Sequence, residues 1–361
     1  NKYMFNKLAW QTQHNVTLSG GGERFRYFVS VGYLYQDGMI KRFTEPYDPN
    51  YSYNRYNYRS NVDIDITKTT LMKVNVGGRV AIAKAPNGED IWRTVMWAVP
   101  YGGAGIVDGK YMVNTEKYIP MAMTTGLGSY YNQGYNTNTN NVLNVDLSIT
   151  QKLDRITKGL YAEIKAAYNS SYNIGKSRSY SGPTFFPVYK STLLDPGLDI
   201  QDPAFDNTIV LQKQGEENEV MGYNHWTGKA RDWYAEASIR YERNLNNHNI
   251  SALLLYNQSK IYYPDQYPEI PLAYVGLVAR ATYAYKLKYL CDWNIGYNGS
   301  ENFAPGKRFG LFPAFSLGWV ASEEKFIKKL KVIDFLKLRA SWGKVGNDKY
   351  SGARFLYLMG A

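Results

Sequence analysis

Leu143-Asn144-Val145-Asp146-Leu147-Ser148-Ile149-Thr150 alternates apolar and polar side chains without a break. Successive side chains of an extended strand point to opposite faces. Leu143, Val145, Leu147 and Ile149 therefore share one face, and the polar four share the other. The next stretch repeats the pattern, with Leu160, Ala162, Ile164, Ala166 and Tyr168 opposing Glu163 and Lys165. Val62, Ile64 and Ile66 likewise oppose Asn61, Asp63 and Asp65, while Met72, Val74, Val76, Val80 and Ile82 oppose Lys73, Asn75 and Arg79. Runs at 233–241, 277–285, 289–297 and 336–342 behave the same way. Adding 16–19, 25–36, 250–257 and 315–319 predicts about a dozen strands.

Most of these runs match the ~9–11 residues that a tilted strand needs to cross a bilayer, whereas strands of ~5–6 residues are commoner in soluble sheets. Their connections alternate in length. Those at 20–24, 68–69, 151–158, 244–247 and 286–288 are short, and those at 38–53, 86–139, 172–229, 261–272 and 299–308 are long. Short periplasmic turns alternating with long extracellular loops are what an outer-membrane barrel requires. Residues 322–333 occupy a short slot but are longer than their peers. Lipid offers no hydrogen-bond partner to the backbone, so only helices or a closed barrel can span it. No stretch here approaches the ~18 apolar residues of a membrane helix. The expected fold is therefore all-β, an antiparallel transmembrane barrel wall.

Composition agrees. The chain has 361 residues, 44% hydrophobic and 20% charged, with 42 basic against 31 acidic side chains and a net charge of +11. That apolar content excludes disorder, and the lone Cys291 excludes a disulfide framework or a Cys-rich zinc site. Tyrosine stands out at 34 residues. Tyr56, Tyr168, Tyr172, Trp233, Tyr262, Tyr263, Tyr285, Tyr289, Tyr297 and Trp319 fall near strand ends, where amphipathic rings form interfacial girdles. Lys and Arg are scattered over wet faces, turns and loops with no recognition motif, which favours contact with anionic outer-leaflet lipid or plug carboxylates over nucleic acid. His14, His225 and His248 lie far apart without metal-ligand spacing. Asp63/Asp65 and Glu216/Glu217 could imitate a glycosidase pair, but sit on a strand's wet face and in a polar loop. Gly102, Gly103 and Gly105 lack the lysine and hydroxyl of a phosphate loop. Cys291 is expected on the lipid face.

Residues 298–319, NGSENFAPGKRFGLFPAFSLGW, and 332–348, VIDFLKLRASWGKVGND, resemble the barrel of SusC-type (SusC/RagA) TonB-linked outer-membrane transporters. Residues 14–38, HNVTLSGGGERFRYFVSVGYLYQDG, and 56–68, YNYRSNVDIDITK, resemble the same family, in order through nearly the whole chain. The resemblance implies a ~22-stranded barrel occluded by a plug. It also implies a segment that engages TonB, and a SusD-like lipoprotein capping the extracellular mouth. The activity implied is uptake of an oligosaccharide or peptide, with no cofactor and no bond made or broken. Against that pattern, residues 1–361 are expected to be a partial barrel without plug, signal peptide or the last strands: an open curved sheet with two exposed edges.

Ligand contacts are expected from the two longest loops. The first carries Trp92, Trp97, Tyr101, Tyr130, Tyr131 and Tyr135, and the second Phe185, Phe186, Tyr189 and Trp226, all among amide and hydroxyl side chains. Flat rings beside directed polar groups suit sugars or peptide backbones, although the same rings could pack loop against loop. A passive porin-like or adhesin barrel and a soluble carbohydrate-binding β-protein remain as alternatives.

Overall fold

The structure is a computed structural model that describes residues 5–41, 46–87, 105–113, 131–217, 220–264, 267–329, 332–349, 351 and 353–358. The chain opens with β1 (Gln11–Gly21), β2 (Phe25–Asp37), β3 (Ser52–Asp65) and β4 (Thr70–Pro86). A two-residue hairpin follows, β5 (Ile106–Val107) and β6 (Lys110–Tyr111), then the long strands β7 (Gly134–Lys152) and β8 (Leu160–Ser179). β9 (Thr184–Tyr189), helix α1 (Lys190–Leu194) and β10 (Ile209–Gln214) precede β11 (Gly222–Leu245) and β12 (His248–Tyr262). β13 (Leu272–Tyr285), β14 (Tyr289–Ser300), β15 (Phe309–Val320), helix α2 (Lys325–Lys328) and β16 (Lys337–Gly343) complete the order. Twelve of these strands form one antiparallel meander in the order β1-β2-β3-β4-β7-β8-β11-β12-β13-β14-β15-β16. β9 with β10 and β5 with β6 make two small separate hairpins. β1 and β16 are the edges of the large sheet. Among the described residues no helix is long and apolar enough to cross a membrane.

The registers convert the alternation into a surface. One line of direct cross-strand partners runs Phe25–Ile64–Met72–Ile149–Ile164, and continues Ala237–Tyr256–Leu277–Tyr297–Leu311. Every position on it is apolar or tyrosine. It crosses β4 at Met72, the third residue of that strand, and β14 near its last, the stagger of strands tilted around a barrel. This face is not buried in protein: Ile164 is 65% exposed, Leu254 50% and Leu311 53%. Apolar patches of such extent are unusual on soluble monomers. In a bilayer the same side chains meet their proper solvent, so this is the lipid face. Cys291 lies on it, between its partners Tyr283 and Leu317.

The opposite face is polar. Near the short-turn end Arg26 approaches Asp65 at 3.0 Å and Asp63 at 3.8 Å. Arg240 meets Glu163 at 2.9 Å, and Arg280 grips both oxygens of Asp292 at 3.2 and 2.6 Å. Asp63 and Asp65 are thus a strand's ion-pair partners.

The long short-end connection is compact for a reason. After β15 the chain makes a 3-10 turn (Ala321–Glu323) and α2, and returns with the Ser322 N–H donating to the Leu336 carbonyl at 3.1 Å. Glu324 pins this fold-back: it accepts from Lys288 at 2.5 Å, Tyr289 at 2.7 Å and Trp319 at 3.1 Å. The Lys288 ammonium, followed by the Tyr289 hydroxyl, holds the Glu324 carboxyl down at about 2.

The strand boundaries correct the expected loops. β7 begins at Gly134, β8 runs on to Ser179 and β11 starts at Gly222, so 134–142, 172–179 and 222–229 are strand. At ~3.3 Å per residue these strands far overreach a ~25 Å apolar band. Their tops stand above the membrane with water on both faces.

Candidate functional site

Above the membrane the inward face of β7, β8 and β11 forms a wall of amides. Asn136, Asn138 and Asn140 alternate with Thr137 and Thr139 along β7, opposite Ser177, Gly175 and Asn173 of β8. Those three face Asn224, Trp226 and Gly228 of β11. The row Asn138–Gly175–Trp226 has a geometric cause: a Cβ on Gly175 would fall inside the Trp226 indole, so only glycine lets the ring lie there. Trp226 remains 46% exposed. The side-chain oxygens of Asn136, Asn140 and Asn173 are buried within this wall and have no hydrogen-bond partner in the protein. An exposed indole set in a wall of amide and hydroxyl side chains is the arrangement that takes a flat, hydroxyl-rich or amide-rich ligand.

The other loop aromatics divide. Phe185, Phe186 and Tyr189 lie on β9, whose register with β10 sets Phe185 opposite Lys213 and Phe186 opposite Gln212. Phe185 also joins the two loops: Met112 bridges to it, its carbonyl accepts the Val113 N–H at 2.8 Å, and Lys110 lies 5.1 Å above its ring. Tyr189 stands edge-on to Phe205 at 5.6 Å and is 39% exposed. Tyr131 is 1% exposed; its hydroxyl donates to the Lys41 carbonyl at 2.5 Å, and its own carbonyl accepts the Tyr47 hydroxyl. Burial leaves that ring no surface for a ligand in this arrangement. Tyr135, expected on a loop, sits in β7 opposite Pro86 and Arg178, with Lys84 at 4.7 Å from its ring. Trp226, also expected on a loop, is in β11. Trp92, Trp97, Tyr101 and Tyr130 lie outside the described residues, as do Gly102 and Gly103.

Acid and histidine chemistry is absorbed locally. Glu216 pairs with Lys213 at 2.5 Å and Glu217 accepts from Tyr180 at 2.7 Å. Asp206 caps its loop: the Thr208 hydroxyl and backbone N–H, with Lys190 at 3.2 Å, hold its carboxyl down at about 2. His14 bonds Thr12 at 2.7 Å and His248 bonds Tyr283 at 2.8 Å. Among the described residues no group of three or more His, Cys, Asp or Glu could hold a metal ion. Gly175 and the amide row escaped sequence reasoning because the segment read as loop; its signal was the every-second-residue Asn136, Asn138, Asn140.

Comparisons with known proteins agree with this geometry. No family model matches the chain. TonB-dependent receptor P39 of Formosa agariphila is 26% identical over 353 residues, covering 95% of this chain and 31% of that protein. TonB-dependent receptor SusC of Bacteroides thetaiotaomicron is 24% identical over 380 residues, covering 98% of this chain and 35% of its own length. The chain therefore spans about a third of the curated relatives it matches. Among solved structures, the RagAB peptide transporter superposes with a TM-score of 0.62 at 16% identity, over 97% of this chain and 38% of that one. The RagAB peptide importer in its open-open state gives 0.63 at 17% identity, over 98% and 38%. The barrel-wall fold and the SusC/RagA resemblance thus rest on curated relatives and solved folds alike.

Proposed function

We propose that this chain, a stretch of SusC/RagA-type barrel wall in the outer membrane, lines the uptake path of a TonB-dependent transporter for a bulky nutrient of the oligosaccharide or peptide class. The observation that carries the reading is one sheet with two solvents. Its outward face is apolar and exposed along the line from Phe25 to Leu311. Its inward face is charged near the short turns and amide-lined, with Trp226, near the long loops. A soluble protein would bury the first face, so the membrane reading supplies what the exposure requires.

In this reading no bond is made or broken. Substrate captured at the long-loop mouth, with a SusD-like lipoprotein at the same face, would rest first against the amide row and Trp226. Phe186 and Tyr189, on the loop hairpin above, are the next candidates. Energy would come from TonB acting on a plug domain of the parent protein, whose contacts would be the Arg, Asp and Glu side chains low on the inward face. The test is a binding panel of glycans and peptides on the full-length receptor, unmodified and with Trp226→Ala. Loss of affinity for one class in the variant supports the reading; binding indifferent to Trp226 in every class contradicts the assignment of this wall to the uptake path.

A further inference from the structure

The outward face changes character at the top of the lipid-crossing band. On β11 the outward positions above Ala235 are Trp233, Arg231 and Lys229. Their register partners on β12 and β8 set Lys260 opposite Trp233, Tyr262 opposite Arg231 and Tyr172 opposite Lys229. Arg231 is therefore the outward neighbour of both lysines, diagonal to Lys260 and two residues from Lys229, at roughly 7–8 Å from each, with the two lysines about twice as far apart. Rings hold them in place. The Arg231 guanidinium lies 4.2 Å and the Lys260 ammonium 5.6 Å from the centre of the same Tyr262 ring, and the Lys229 ammonium lies 4.3 Å from that of Tyr263.

Among the described residues the cluster has no anion. The low inward cations are paired with carboxylates, but among the described residues Lys229, Arg231 and Lys260 reach no carboxylate within ion-pair distance, and the Arg231 Nε, though buried, has no hydrogen-bond partner. The nearby Asp232 points to the other face, where it accepts from Asn169 at 2.7 Å. Like charges held close without a counter-ion oppose folding. Rings can brace cations there, but cannot neutralise them.

Height along the strand identifies the missing anion. Tyr168 and Trp233, a register pair, mark the upper aromatic girdle, where rings sit at headgroup depth. The three cations stand at that level and just above it, on the long-loop side and facing outward. We infer that Lys229, Arg231 and Lys260, braced by Tyr262 and Tyr263, form a binding site for the phosphate groups of an outer-leaflet lipid headgroup. The inference rests on the membrane reading above and adds a lipid partner to it. The outward-pointing Lys176 and Arg178, higher on β8, would extend the site toward charged groups farther from the bilayer.

The test uses the full-length receptor in phosphatidylcholine vesicles containing either lipid A or lipid A stripped of its phosphates by phosphatase. Lipid that stays bound through detergent extraction is counted by native mass spectrometry. Retention of lipid A, falling as salt is raised and absent for the stripped lipid, is expected of the unmodified protein. The combined variant Lys229→Gln, Arg231→Gln, Lys260→Gln should weaken retention about a hundredfold, as three basic groups near an anionic surface warrant. Equal retention of both lipids by the unmodified protein overturns the site, and that arm needs no variant to fold. Unchanged lipid A retention in the variant also overturns it. Insertion is read separately, from heat-dependent gel migration. A receptor that fails to insert overturns the membrane reading itself, whereas one that inserts without phosphate preference overturns only this site.

Discussion

The Trp226 indole occupies the space that a Cβ on Gly175 would need. The two residues are direct cross-strand partners on the inward face of β8 and β11, so the glycine is a seat for the ring.

That relationship gives the first prediction. Gly175→Ala should displace the indole and weaken substrate binding about as much as Trp226→Ala does, by tenfold or more if the ring is an anchor of the usual kind. Calorimetric titration of the full-length receptor checks it. Gly175→Ala binding as tightly as the unmodified protein, while Trp226→Ala does not, would show that the ring needs no seat.

The fold-back at the short-turn end predicts a pH effect. The Glu324 carboxyl is lowered from 4.5 to about 2 by Lys288, Tyr289 and Trp319. A group depressed in the folded state stabilises it above the unfolded value, and that contribution fades as pH falls from about 4.5 through about 2. Protection of the 321–336 connection from hydrogen exchange should therefore fall over that acid window. Glu324→Gln should lower it at neutral pH and flatten the dependence.

Arg280 and Asp292 form a two-pronged pair between β13 and β14, but the arginine side chain is 50% exposed. A double-mutant cycle with Arg280→Ala and Asp292→Ala should give a coupling of about 1 kcal/mol or less in the reconstituted receptor. A coupling several times larger would mean that this face is drier than a water-filled lumen allows.

The parts of the fold legible in the sequence were those where two solvents meet one strand. Leu147 and Ile149 against Asp146 and Ser148 announce a strand because lipid and water select opposite side chains. Above the membrane both faces are wet, that selection vanishes, and Asn136-Thr137-Asn138-Thr139 reads as loop although it pairs residue by residue with β8. The same loss of contrast hid the amide row, and with it the setting of Trp226. Tyr131 shows a different limit. Its neighbours in the sequence, Tyr130 and Tyr135, look equivalent there, yet Tyr131 is 1% exposed because Tyr111 stacks on it at 6.2 Å and two hydroxyl-to-carbonyl hydrogen bonds fix it between loops. Long-range packing of that kind leaves no periodic mark.

The central claim is that the exposed apolar face meets lipid, and Ile164 tests it most directly. It lies mid-sheet on the cross-strand line, between Ile149 and Ala237, and is 65% exposed. The decisive measurement is the unfolding free energy of Ile164→Arg in the full-length receptor reconstituted in vesicles. A loss of about 2–4 kcal/mol, the cost of an arginine at bilayer depth, is the predicted result. A change within about 0.5 kcal/mol, as for a water-exposed surface position, would contradict it.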